Sequence, residues 1–420
     1  MGIIYNIVES KKNISSQEKK TQLRQYFLSN LNNIRNITRN KNLNNYTTSM
    51  GILFQFIKKD IAVLLSNICC QKDTEYILSY QIYNLDWNKW MFKKFYELGL
   101  KDIIIWFFFH IPYYIINNDA DNVNNSKNKH LLKASRHIVL EMSKYIYKEW
   151  KNIFFTEKEF IFSLNYTCLM YPITYQNANN KEILTKFNKL IKKINPWINY
   201  ISPNIAKKLL LKNNPNPENK VESKVKNICF ITDSFVVDSC VFRDRIGLIG
   251  QLLKEKCFNI YVASFYTKKQ VTGDIAKMFI NKIGSKYIEL DRNMDNARNQ
   301  LDNLNLDLII YPDIGMKIYP YILSFSKLAP IQINTWGHSE TSGIDTIDYF
   351  VSSKFFHPHQ KIKEDTVNNE FSEKLVLMNS LSTYYIPPLK LFNINTKKFK
   401  NKKELGYTNN NKLYGCLQTS

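Results

Sequence analysis

The sequence predicts an α/β protein, with an all-helical amino-terminal region followed by one lobe built on a parallel, doubly wound sheet. Three observations predict this class. Apolar residues recur at helical spacing in the first half, a polar stretch with two prolines follows, and short apolar strands then alternate with helices. These patterns divide the chain into a helical region (1–212), a linker (213–225), the sheet lobe (226–395) and a final segment (396–420).

The composition is that of a folded protein with an excess of positive charge. The 420 residues are 44% hydrophobic, which excludes general disorder, and only 12 Gly and 12 Pro exclude fibrous and low-complexity classes. The net charge of +22 is compatible with nucleic acid, an anionic membrane or a nucleotide as partner. A general abundance of Lys, Asn and Ile explains it equally well. Because no basic stripe interleaved with aromatic residues accompanies the charge, nucleic acid is the disfavoured partner.

Cysteine usage and the longest apolar run predict a soluble, cytoplasmic protein. The seven cysteines form no CxxC pair, as is usual for reduced thiols in the cytosol. The apolar run from Ile103 to Ile116 is interrupted by His110 and Pro112, and it is shorter than the roughly 20 residues that cross a bilayer. We interpret it as a buried helix. The amino terminus shows no secretory signal, and no membrane partner is expected.

The first 212 residues show helical periodicity in several segments separated by Asn-rich breaks. Apolar residues recur every three or four positions from Ile52 to Leu65 and from Ile138 to Ile146. The helices could be degenerate tetratricopeptide-type repeats, although no 34-residue self-similarity is evident. The polar segment from Lys212 to Lys220 is the best linker. The breaks are Asn30–Asn33, Asn117–Lys129 and Asn177–Asn180.

Beyond the linker, strands of four to seven residues alternate with longer helices, which is typical of a parallel sheet. The predicted strands are Ile228–Ile231, Asn259–Phe265, Tyr287–Leu290, Leu306–Tyr311, Ile331–Trp336 and Ile347–Val351. The predicted helices are Ile246–Leu253, Ile275–Ile283, Asn293–Leu304 and Met316–Leu328. Polar sites on such sheets lie at the carboxyl ends of strands. That rule selects three loops, Thr232–Arg245, Pro312–Gly315 and Trp336–Gly343.

The first of these loops leads into a helix, where free backbone N–H groups favour an anion. Asp238 or Ser239 is the expected N-cap. Arg243 and Arg245 could bind a phosphate or carboxylate, or they could pair locally with Asp244 between them. No glycine-rich phosphate fingerprint occurs here, which disfavours a dinucleotide site.

The third loop combines small residues, hydroxyls and His338, which could act as a general base or only as a hydrogen-bond donor. A nucleophile elbow is excluded, because Gly337–Thr341 lacks the second glycine. His357 and His359 resemble a metal pair, but no further Cys or carboxylate stands at ligand spacing. We therefore predict no metal site.

A set of motifs in unbroken order resembles the catalytic region of the O-linked N-acetylglucosaminyltransferase family, glycosyltransferase family 41. The resemblance covers about residues 225–420, and the amino-terminal helices share only the class-level feature that family members often have tetratricopeptide helices there. The motifs are Tyr311–Met316, Ser324–Gln332, Trp336–His338, Thr341–Ile344, Ile347–Phe350, Ser372–Val376 and Tyr384–Pro387.

The resemblance implies a GT-B fold, in which two Rossmann-like lobes face each other across a cleft, and residues 226–395 correspond to the amino lobe. It implies transfer of a sugar of N-acetylglucosamine type, with inversion, from a UDP-sugar to a Ser or Thr hydroxyl of a protein or peptide. UDP-sugar is then a co-substrate, and neither a metal nor another cofactor is needed. The family's Gly-Thr-Ser-Gly-type loop near the sugar corresponds to Thr341, Ser342 and Gly343, preceded by His338 and Ser339.

The sequence departs from the family at several of these positions. Ser339 stands where Pro is common, and the two cleft histidines discussed as catalytic correspond to Asp238 and Lys286. Asp238 could accept a proton only if desolvation raises its basicity, and Lys286 would act as a cation. From the loop residues and this resemblance together we assign Asp238 and His338 to catalysis, and the remaining residues to substrate binding: Arg243, Lys286, Ser339, Thr341, Ser342 and Gly343.

The last residues resemble the family's junction into its second lobe, with Leu417 in place of a Pro. Because no donor lobe follows in this sequence, we expect the chain alone to bind UDP-sugar weakly or not at all. A separately encoded second lobe is then a possible partner. A non-catalytic protein- or peptide-binding module derived from a glycosyltransferase is the alternative function, and charge-driven nucleic-acid binding, which would weaken steeply with salt, is a third.

Overall fold

A computed structural model of the chain describes residues 85–97, 126–151, 154–157, 160, 178–207 and 225–384. Several sequence predictions fall outside these residues. They are the helical periodicity from Ile52 to Leu65, the apolar run from Ile103 to Ile116, all but the last residue of the linker, and the segment 396–420.

The described part of the helical region includes helices α1 (Leu85–Glu97), α2 (Ser126–Glu149) and α3 (Lys181–Ile194), and residues 203–207 are also helical. The face of α2 predicted from Ile138 to Ile146 is buried, and α3 is strongly amphipathic. The break predicted over Asn117–Lys129 is wrong at its end, because α2 begins at Ser126. None of the helices in the described ranges is long and apolar enough to span a bilayer.

The second half of the described chain confirms the predicted parallel sheet. It has seven strands: β2 (Lys226–Ile231), β3 (Phe258–Ser264), β4 (Tyr287–Glu289), β5 (Leu308–Tyr311), β7 (Ile331–Thr335), β8 (Tyr349–Ser353) and β9 (Lys374–Met378). These strands pair in parallel in the order β4-β3-β2-β5-β7-β8-β9, so chain order reverses between β2 and β5. The helices are α4 (Cys240–Leu252), α5 (Asp274–Ile283), α6 (Met294–Asp302), α7 (Ile318–Leu323) and α8 (His359–Lys363).

Three elements differ from the sequence predictions. Helix α4 begins at Cys240, six residues before the predicted start, because the Ser239 side chain caps it by accepting the Phe242 N–H. The predicted helix Met316–Leu328 contains only α7, and its end is instead strand β6 (Ser326–Lys327), which pairs with β1 (Tyr200–Ile201). Strand β9 was not predicted as a strand.

The two faces of the sheet bury different helices because side chains alternate along each strand. In β2, Ile228 and Phe230 point to the face covered by α4 and α5. Cys229 and Ile231 point to the opposite face, where α6, α7 and the helices α2 and α3 contribute to one continuous core. The described helices of the amino-terminal region therefore pack directly on the sheet lobe.

Candidate functional site

The three loops selected from the sequence lie together at the carboxyl edge of the sheet, where chain order reverses. In doubly wound sheets, ligands bind in the crevice at this position. The Thr232 hydroxyl, after β2, donates to Asp313 Oδ1, after β5, at 2.7 Å. The Gly337 N–H, after β7, donates to the Pro312 carbonyl at 2.9 Å. Hydrogen bonds thus join each of these loops to a neighbour.

Asp313 is the centre of this arrangement. Its side chain is 2% exposed, and its two carboxylate oxygens accept hydroxyl donors from Thr232 and Ser234. Burial raises the pKa of the Asp313 carboxyl, while these two hydrogen bonds and the positive charges of Arg245 and Lys317 act in the opposite direction.

A second buried carboxylate, Asp233, follows strand β2 directly. Its Oδ1 accepts the Ser264 hydroxyl and the Phe265 N–H, both at 2.8 Å. Burial raises the pKa of Asp233 to about 6, and the nearby negative charge of Asp313 also raises it. The exposed Lys317 is a cation close to both carboxyls. Two desolvated acids and a cation therefore share the switch point of the sheet.

Arg245 joins the loop after β7 to helix α4. Its guanidinium lies 3.7 Å from the centroid of the Trp336 ring, and its Nη2 donates to Thr335 Oγ1 at 2.9 Å. The side chain is only 1% exposed. Arg243 lies on the same helix but is exposed. Arg245 therefore contacts the loop after β7. Arg243, which the sequence analysis assigned to substrate binding, is exposed, and its binding role stays a prediction.

His338 is 4% exposed at the start of the third loop, and burial lowers its pKa to about 4. The imidazole is therefore neutral at neutral pH, and the lowered pKa makes it a weak proton acceptor. Ser339, the next residue, is exposed to solvent.

Asp238 lies in the loop between β2 and α4, and its side chain caps helix α5. Its Oδ1 accepts the Ala276 N–H at 2.9 Å, and its Oδ2 accepts the Ile275 N–H at 3.3 Å. Because the N-cap residue of α5 is Gly273, which has no side chain, Asp238 supplies the cap from a neighbouring loop. The catalytic role assigned to Asp238 stays a prediction.

The Thr341–Gly343 segment is held by a buried carboxylate that the sequence analysis did not select. Glu373 accepts the Thr341 hydroxyl at 2.6 Å and the Ser342 N–H at 2.8 Å. The Ser342 carbonyl accepts the Asn188 amide of α3 at 2.7 Å. The segment thus forms a fixed junction between the sheet and helix α3, and its binding role stays a prediction.

Lys286 is not brought next to the other predicted residues. It immediately precedes β4, the edge strand, which lies four strand positions from β7. At the usual spacing of neighbouring strands this is about 19 Å.

The described residues contain no group of three or more His, Cys, Asp or Glu side chains placed to bind a metal ion. His357 Nε2 lies 3.0 Å from the Ser352 hydroxyl, and His359 is exposed at the start of α8.

Four residues of the site were missed by sequence reasoning: Asp233, Asp313, Lys317 and Glu373. A signal existed for the first two, because each lies within two residues of the carboxyl end of a predicted strand, inside a selected loop. For Glu373 no such signal existed, because it precedes a strand that was not predicted.

The sequence matches no protein-family model and no curated protein. Among solved structures, the chain is similar to a mutant of the O-GlcNAc transferase of Thermobaculum terrenum, with a TM-score of 0.41 and 10% sequence identity. The match covers 84% of this chain and 57% of that one, so the chain spans little more than half the length of that protein.

Proposed function

We propose that this protein is a glycosyltransferase of the inverting type, which transfers a sugar of N-acetylglucosamine type from a UDP-sugar to a Ser or Thr hydroxyl of a protein or peptide. The observation that supports the proposal most strongly is the convergence of three polar loops at the switch point of the sheet. The motifs that resemble the O-linked N-acetylglucosaminyltransferase family lie in or beside two of these loops.

The chemistry of such a transfer requires a proton acceptor for the hydroxyl and a positive group near the departing diphosphate. Three buried groups of the described crevice have an atom that can take up a proton: Asp233, Asp313 and His338. An exposed carboxylate is a weak base, but burial raises the pKa of Asp233 to about 6, which makes it a better one. Lys317 and Arg245 are the cations of this edge. The three buried groups are therefore the candidates for the proton acceptor.

The direct test is the release of UDP from UDP-N-acetylglucosamine in the presence of a Ser/Thr-containing peptide, combined with calorimetric titration of UDP. Because the chain alone should bind the nucleotide weakly, we expect weak but saturable UDP binding, and slow turnover that falls at least tenfold in Asp313→Asn while the matched change at an exposed site, Asp345→Asn, leaves it unchanged. Absence of both UDP heat and turnover would contradict the proposal.

The pH dependence of turnover separates the candidate bases. The base must be deprotonated to accept the proton, so turnover falls as the pH is lowered through its pKa. A fall centred near pH 6 indicates Asp233, and a fall centred near pH 4 indicates His338.

A non-catalytic module that binds a protein or peptide is the second candidate, and one specific observation favours it. Asp238, Thr341 and Ser342, all predicted for the reaction, use their side chains in structural hydrogen bonds. For such a module, UDP gives no heat of binding, whereas a peptide partner does.

A further inference from the structure

The loop after β7 is fixed at both ends, but its middle depends on the helical region. At its start, Gly337 is hydrogen-bonded to Pro312, and at its end the Thr341–Gly343 segment is bound to Glu373. Between these anchors, the half-buried Glu340 points its carboxylate toward helices α2 and α3. His338 and Ser339, both assigned to the reaction, lie in this middle part.

Asn180 connects Glu340 to the helices. It is 1% exposed and is the N-cap residue of α3, but its side chain makes no cap hydrogen bond to that helix. An Asn at this position normally accepts an N–H of the first turn of the helix. Instead, Asn180 Oδ1 accepts Arg136 Nη1 of α2, and the side chain hydrogen-bonds the Glu340 carboxylate.

The donor and acceptor pattern of this network is complete in only one arrangement. Because Arg136 can only donate, Asn180 must present its oxygen to Arg136 and therefore its amide N–H to Glu340. Arg136 also donates through Nη2 to the Asn179 carbonyl at 2.8 Å, which holds the guanidinium in place. The positive charge of Arg136 attracts Glu340, whereas Glu370 repels it.

We propose that Asn180 is a positioning residue, which with Arg136 and Glu340 makes the helical region fix the loop that holds His338 and Ser339. The helical region then forms one wall of the site. The positioning of this loop by Asn180 does not depend on the proposed function. The inference rests on the proposed function only where it expects the same variants to change UDP affinity.

The test is amide hydrogen exchange of the loop 336–343 in the full chain. Asn180→Asp keeps the acceptor for Arg136 but places a carboxylate against Glu340, so exchange of the loop should become about tenfold faster or more. Adding Glu340→Gln returns an amide donor to the pair, so the double variant should exchange within about twofold of the wild type. If each substitution only removed a structural contact, their effects on the exchange rate would add, and the double variant would exchange faster than either single variant.

Two controls and one separate measurement complete the experiment. Asn199→Asp, an exposed change in the same region, should leave the loop unaffected, and helix α5 should exchange at the wild-type rate in every variant. A loop unchanged in Asn180→Asp, or a double variant that exchanges faster than Asn180→Asp alone, would overturn the proposal. UDP titration of the same variants is read separately: rescue of exchange without any UDP binding contradicts the proposed function and leaves the positioning role supported.

Discussion

Replacement of Glu373 is the sharpest test of how the Thr341–Gly343 segment is held. The side chain is 6% exposed and accepts four donors, from Thr341, the Ser342 N–H and hydroxyl, and Ser372. Hydrogen bonds to a charged group contribute about 1.5–3 kcal/mol each, but hydroxyls can turn to other partners. Glu373→Ala should therefore lower the free energy of unfolding by about 4 kcal/mol.

Glu373→Gln is the conservative variant in the same assay. Its carbonyl oxygen can still accept the Ser342 N–H, and the hydroxyls can rotate to accept its amide, so we expect a loss of about 1–2 kcal/mol. The assay is urea unfolding followed by circular dichroism, with Glu255→Ala as an exposed control expected to stay within about 0.5 kcal/mol. A loss below about 1 kcal/mol in Glu373→Ala would refute this reasoning.

Further expected outcomes concern one glycine and two buried titratable groups. Gly343 has φ +67°, and an added Cβ would lie 2.7 Å from the Leu184 carbonyl carbon. Gly343→Ala should therefore lower the free energy of unfolding by about 2 kcal/mol or more. Gly250 lies in a helix with open space around it, so Gly250→Ala should instead raise the free energy of unfolding by up to about 1 kcal/mol, and thermal unfolding measures both changes. Because burial raises the pKa of Asp233 to about 6, its contribution to the free energy of unfolding should fall by up to about 3 kcal/mol as pH rises from about 4 to 6. Because burial lowers the pKa of His338 to about 4, its contribution should instead fall by up to about 3 kcal/mol as pH drops from about 6.5 to 4. The two contributions oppose each other in the wild type, so each is measured as the difference in pH dependence between the wild type and Asp233→Asn or His338→Gln in denaturant titrations. Equal slopes in wild type and variant would contradict either assignment.

The sheet could be predicted from the sequence because its strands are short apolar runs whose alternation with helices admits few topologies. The carboxyl-edge rule then selected three loops that lie side by side in the structure, without any knowledge of contacts. Boundaries were less predictable. Ser326 and Lys327 follow a helix without a clear break, and they form β6 only because residues 200–201, far away in sequence, pair with them.

The roles of individual side chains could not be predicted, because they depend on what each one meets across the fold. The sequence does not show that the Asp238 carboxylate accepts N–H groups at the start of helix α5, whose own N-cap residue is a glycine. Asp313 lay in a selected loop without an assigned role, yet in the structure it accepts hydroxyl donors from the loop after β2. Thr341 and Ser342 resemble a ligand loop, and the glutamate that occupies them lies about thirty residues further along the chain.

The indole resonance of Trp336 provides the most direct measurement of where a nucleotide sugar binds. Trp336 stacks on Arg245, whose positive charge acts on the buried Asp313, and its ¹H–¹⁵N signal can be assigned by its loss in Trp336→Phe. Because the chain alone should bind the nucleotide sugar weakly, titration of the full chain with a large excess of UDP-N-acetylglucosamine should shift this signal and leave that of Trp197, which packs on Phe160, in place. A Trp336 signal that does not move while the ligand binds elsewhere, or a spectrum unchanged throughout, would contradict a donor site at this edge of the sheet.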